Sequence, residues 1–135
     1  MNRDIFIISE YDPQLILTYD ENLTMKQHKF KGVNFNKTSK FTIVKGLEGG
    51  NSVSFILNDS FDDDYYIIDN YHKDSRYRKL ELRTFNPKSS ETDFKLRSQA
   101  SFILEEGLSN KSLFSITNIF NDYKYYWLIK ENNTI

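Results

Sequence analysis

Apolar and polar residues alternate along this chain in short bursts. Val53 and Phe55, Leu80 and Leu82, and Phe114 and Ile116 are each separated by one polar residue. A period of two puts alternate side chains on opposite faces of a strand, so each burst predicts a half-buried strand. No long window repeats its apolar positions at helical spacing. Asp12-Pro13, Gly46, Gly49-Gly50, Asn86-Pro87 and Gly107 punctuate the bursts as turns. The expected chain is all-β, with about ten short strands.

Laid on itself, the chain repeats. The run Phe41 to Leu47 recurs as Phe102 to Leu108, a shift of 61 residues from Gly46 to Gly107. The same shift places Val53-Ser54-Phe55 on Phe114-Ser115-Ile116, and Tyr65 to Ile68 on Tyr126 to Ile129. An earlier copy follows with small loop gaps, as Ile5-Phe6-Ile7, Leu15-Ile16-Leu17, Leu23-Thr24-Met25 and Phe41 to Leu47. Three units result, covering residues 3–50, 51–110 and 111–135, and the third stops after two strands. Gly46 and Gly107 end a strand in each full unit, where a sharp turn with positive φ favours glycine. Leu47 and Leu108 are expected to fold back as plugs beneath the core. Phe41, Val53, Phe55, Phe102, Phe114 and Ile116 are expected to share that core.

Composition sharpens the strand reading. The chain holds 11 Phe and 9 Tyr, and its sole alanine is Ala100. Aromatic and β-branched side chains suit a pleated surface, while a scarcity of alanine disfavours helices. A length of 135 residues fits one domain with a core of its own. Eighteen basic residues against 19 acidic ones leave a net charge of −1, without the positive excess that nucleic-acid binding demands. The most basic stretch, Lys73, Arg76, Arg78, Lys79 and Arg83, alternates with Tyr71, His72 and Tyr77. It reads as a solvated hairpin loop balanced by Asp62-Asp63-Asp64, with a phosphate-binding strip as the sharper alternative.

The searches for chemistry narrow the field further. There is no cysteine, hence no disulfide framework, thiolate nucleophile or cysteine-based zinc site, which fits a reducing compartment. The apolar run Ile5 to Ile8 is shorter than the roughly 7–15 residues of a secretory h-region. Nothing approaches the roughly 18 apolar residues of a membrane span, so a cytoplasmic location without membrane contact is expected. His28 and His72 fall in polar stretches and read as solvated loop residues. The aspartate triplet lacks the spaced oxygen ligands and glycine of a calcium loop, and no metal or other cofactor is expected. No segment nominates the facing carboxylates that glycoside hydrolysis needs, so the expectation is a protein that is not an enzyme.

Ala100-Ser101-Phe102 before Gly107-Leu108, and Phe41 before Gly46-Leu47 and Val53-Ser54-Phe55, resemble the arabinose-binding domain of α-L-arabinofuranosidase B. That family repeats an Asp-Ala-Thr-Phe segment, a Gly-Leu turn, a Val-Ser-Phe strand, an Asn-Tyr-Pro-Gly loop and a Tyr-Leu-Arg-His strand. Tyr11-Asp12-Pro13-Gln14 is similar to its proline-containing loop, and Tyr65 to Asp69 to its last strand. The resemblance implies a β-trefoil with three internal repeats, the third truncated, and a non-catalytic carbohydrate-binding function directed to arabinose-containing or other glycans. In the family the histidine and the aspartate of each repeat hold the sugar.

Here the histidine position falls on Thr18 or Tyr19, on Asp69 and on Lys130, and the aspartate position on Thr38 and Gln99. No unit keeps both residues, which implies degenerate pockets. Asp69 and Gln99 retain the hydrogen-bonding capacity to hold a polyol. The plainer reading is that Gln99 satisfies backbone groups at a strand start. Tyr66, Tyr125, Tyr126 and Trp127 suit stacking on sugar rings, or packing in the core and hairpin caps. The expected sugar-binding set is therefore Asp69, Gln99, Tyr66, Thr18 and Thr38. The alternative function is a protein-interaction trefoil scaffold that has lost sugar binding. The fourth strand of the resembled unit is a barrel strand, so a third unit lacking it is expected to expose an edge that invites self-association or a protein partner.

Overall fold

Strands form where apolar residues alternate, and they pair chiefly with their neighbours in sequence. The computed structural model of the chain describes residues 3–9, 15–20, 22, 24–29, 40–58, 64–70, 80–88, 94–106, 114–119 and 124–131. Among them lie ten strands: β1 Arg3–Ser9, β2 Leu15–Tyr19, β3 Met25–Lys29, β4 Phe41–Lys45, β5 Val53–Asn58, β6 Asp64–Asp69, β7 Leu80–Thr84, β8 Phe102–Glu106, β9 Phe114–Asn118 and β10 Lys124–Glu131. The expected all-β class holds, with one short helix among the described residues, α1, at Phe94–Gln99.

The ladders run in a circuit. β1 pairs β10, β10 pairs β9, β9 pairs β8, β8 meets β5, β5 pairs β4, and β4 returns to β1. The junction of β8 with β5 is a single pair, Val53 with Phe102. Two hairpins hang from this ring: β2–β3 from β1 at Ile8 and Ile16, and β6–β7 from β5 at Ile56 and Tyr66. β1 shares one edge between β4 and β2, and β5 shares one edge between β8 and β6. β10 pairs β9 in two stretches. It pairs Lys124 and Tyr125 with Thr117 and Ile116, bulges, and resumes with Leu128 and Ile129 opposite Ser115 and Phe114.

The same β10 lies along β1 from Ile5 to Ser9. β1 thus has β10 as its partner over this stretch. A bulge makes this possible, because extra residues in one strand let it bend and change register.

Ile5, Ile7, Leu17, Phe41, Ile43, Val53, Phe55, Ile67, Phe102, Ile116 and Ile129 form the main core. Phe41, Val53, Phe55, Phe102 and Ile116 are thus together as expected, whereas the side chain of Phe114 lies outside the described set. Phe55 and Phe102 pack ring to ring at 5.4 Å. A second cluster sits on the other face of β6, where Tyr66, Ile68 and Ala100 meet Leu47, Ile56, Phe85 and Leu96. β6 is therefore buried on both faces, which explains its unbroken apolar run Tyr65 to Ile68.

Several expectations change at this point. Leu47 joins the second cluster and does not plug the main core; Leu108 lies outside the described residues. Gly46 is not a positive-φ residue. A Cβ there would lie 2.6 Å from the Ser52 carbonyl carbon, so close approach excludes a side chain. Positive φ falls instead on Gly49 (72°) and Gly50 (58°). Gly107 is outside the described residues. The third strand of the first unit begins at Met25, after Asp20 Oδ1 accepts hydrogen bonds from the Asn22 and Thr24 amides at 2.9 and 3.0 Å. His28 consequently lies in β3 opposite Ile16 and not in a loop.

The helix was not expected. Its six residues are too few to show a helical period, although Lys95, Leu96, Arg97 and Gln99 are good helix formers.

Candidate functional site

The junction of α1 with β8 is held by serines. Ser54 Oγ donates to the Ala100 carbonyl at 2.7 Å and accepts from the Leu47 amide at 3.3 Å. Ser101 Oγ donates to the Arg97 carbonyl at 2.8 Å and accepts from the Glu48 amide at 3.2 Å. Ser98 Oγ donates to Glu48 Oε1 at 2.9 Å, and Asn118 Nδ2 donates to the Gln99 and Ser101 carbonyls at 3.0 and 3.3 Å. Small hydroxyls serve here because they reach buried backbone groups without filling the space that Phe55 and Phe102 need. Three segments quoted for the family resemblance, Gly46-Leu47, Val53-Ser54-Phe55 and Ala100-Ser101-Phe102, thus meet here, while Tyr11 to Gln14 and Gly107-Leu108 lie outside the described residues.

Four of the five residues expected to bind sugar are buried. Asp69 is 0% exposed, Thr18 3%, Gln99 6% and Tyr66 7%. Asp69 ends β6 opposite Leu80, Thr18 lies in β2 opposite Lys26, and Gln99 is the last residue of α1. Thr38 lies outside the described residues, as do His72, Asp62, Asp63 and the basic stretch before Leu80. The backbones of Tyr125, Tyr126 and Trp127 run in β10, with Trp127 opposite Ser9.

An open cleft of about 490 Å³ lies at the other end of the β6–β7 hairpin, lined by Asp64, Tyr66, Thr84, Phe85, Asn86, Pro87 and Lys88. Antiparallel pairing builds it, since Tyr65 faces Thr84 and Tyr66 faces Arg83, which brings the start of β6 to the turn after β7. The Tyr66 and Phe85 rings stack at 4.9 Å with 30° between their planes. Burial, with a smaller contribution from the Asp64 carboxylate, raises the Tyr66 hydroxyl above its ordinary pKa, so the phenol stays protonated.

The turn beyond β7 is pinned at two points. Asn86 Oδ1 accepts from the Lys88 amide at 3.0 Å, an Asx turn. The Pro87 carbonyl accepts from Arg97 Nε at 3.1 Å and from Arg97 Nη2 at 2.8 Å. Of the residues expected to bind sugar, Tyr66 lines this cleft; Asp69, Gln99 and Thr18 do not. Sequence reasoning missed Asp64, Thr84, Phe85, Asn86 and Lys88. The available signal was Asn86-Pro87, read simply as a turn.

Among the described residues no three His, Cys, Asp or Glu side chains gather as a metal group, and no helix is long and apolar enough to cross a membrane. No protein-family model matches the chain, and no curated protein matches it.

Proposed function

We propose that the chain is a non-catalytic carbohydrate-binding domain of the β-trefoil type, with the pockets of the resembled arabinose-binding family degenerate. One observation carries the reading: of the residues quoted for the resemblance, Val53-Ser54-Phe55 and Ala100-Ser101-Phe102 are in contact, with Ser54 bonded to Ala100 and Phe55 packed on Phe102. The ladder circuit supports the trefoil. In it β4 pairs with β1 and β5, as β8 pairs with β5 and β9. Strand positions support the repeat, since β4 at Phe41–Lys45 and β8 at Phe102–Glu106 keep the 61-residue shift at both ends. Fold alone does not decide function. A glycan array tests the proposal: retention of arabinose-containing or other neutral glycans is expected, and a blank array would refute it.

A second reading is favoured by the sealed Asp69, Gln99 and Thr18. It is a trefoil scaffold for a protein partner that has lost sugar binding. A blank array together with saturable binding of a protein partner would select it.

A further inference from the structure

We propose that the cleft beside the β6–β7 hairpin is a saccharide site for a neutral sugar ring with adjacent hydroxyls, an assignment that rests on the carbohydrate-binding reading above. The wall and rim of the cleft differ in chemistry. Phe85 and Pro87, backed by the stacked Tyr66 ring, form an apolar wall, and the C–H face of a sugar suits such a surface. Asp64, Thr84, Asn86 and Lys88 supply polar groups around it. A carboxylate such as that of Asp64 accepts hydrogen bonds and an ammonium such as that of Lys88 donates them, whereas a sugar hydroxyl does both. A ring with neighbouring hydroxyls therefore answers both side chains at once.

Charge narrows the ligand class. Asp64 and Lys88 give the cleft one group of each charge, so a neutral ring carrying both donors and acceptors matches it without bringing an unpaired charge. The volume, about 490 Å³, falls within the roughly 300–1,000 Å³ of small-molecule pockets. The turn is also ordered before any ligand arrives, because Asn86 holds Lys88 and Arg97 holds Pro87. Preorganisation of this kind reduces the entropy lost on binding. The site needs none of the sealed positions Asp69, Gln99 and Thr18.

Backbone amide NMR of the ¹⁵N-labelled full chain tests the assignment. The probes are methyl glycosides of neutral pentoses and hexoses, with glucuronate and inorganic phosphate as charged comparators. Saturable shifts at residues 64–66, 84–86 and 88 with a neutral glycoside are expected. Asp64→Asn and Lys88→Gln should each weaken that binding by about tenfold, the scale of one hydrogen bond to a charged group, at an unchanged melting temperature. Shifts centred on residues 18, 69 and 99, with both variants silent, would overturn this site and leave the carbohydrate-binding reading standing. Shifts in the cleft with the charged comparators alone would overturn the ligand class. No shift with any glycoside would overturn both. If a variant does not fold, the shift map of the unaltered chain still decides.

Discussion

Ser54→Ala removes one oxygen that joins three segments. Ser54 is fully buried, donates to the Ala100 carbonyl at 2.7 Å and accepts from the Leu47 amide at 3.3 Å. Each buried polar group stranded by such a change costs about 1–3 kcal/mol. The Leu47 bond is longer and half-buried, so it belongs at the low end, and the sum is about 2–3 kcal/mol. With a urea m-value of about 2 kcal/mol/M, the unfolding midpoint should fall by about 1 M at unchanged slope. Thr42→Ala is the control. Its hydroxyl donates to Asp4 Oδ1 at 3.2 Å at the surface, and its loss should cost less than about 0.5 kcal/mol. A Ser54→Ala midpoint within about 0.3 M of the parent would refute this role of Ser54, because at that slope it leaves under about 1 kcal/mol.

Gly46→Ala should lower stability by about 1–3 kcal/mol, because its Cβ meets Ser52, and Gly50→Ala by about 1 kcal/mol through its left-handed backbone alone. Thermal melts of the pair give the order. Tyr19 and Tyr66 should ionise above the ordinary tyrosine pKa of 10.0 in a spectrophotometric titration, chiefly through burial. Their folded pKa values are raised, so the folded state keeps protons that the unfolded state loses; stability should fall as pH rises above about 10. Asp64→Asn should lower the Tyr66 value and leave that of Tyr19. Hydrogen exchange should find slow amides along both β1 and β10 if β10 closes the ring, whereas rapid exchange throughout β10 would contradict the closure.

Much of the ring was legible because its strands alternate in composition. The shift linking Phe41 with Phe102 located β4 and β8 from one pattern, and the buried phenylalanines followed. β3 was harder. Met25 to Lys29 is largely polar, and its pairing with the apolar β2 overrides local propensity. The role of β10 required a bulge between Tyr125 and Leu128, which no periodicity announces. Gly46 could be read as special, but the reason depends on where Ser52 returns. The cleft was hidden for a similar cause: Asp64 and Lys88 are distant in sequence, and the register of β6 against β7 brings their segments together. Gln99 belongs to α1, which was too short to be seen.

Saturation-transfer NMR of the full chain with arabino-oligosaccharides and a neutral hexose oligosaccharide tests the proposed function most directly. One sample reports binding through transfer to the sugar ring protons, and reports catalysis through the anomeric signals over hours. Transfer to ring protons of at least one saccharide, with constant anomeric integrals, is the predicted result. Absence of transfer to every saccharide, or growth of new reducing-end signals, would contradict a non-catalytic carbohydrate-binding domain.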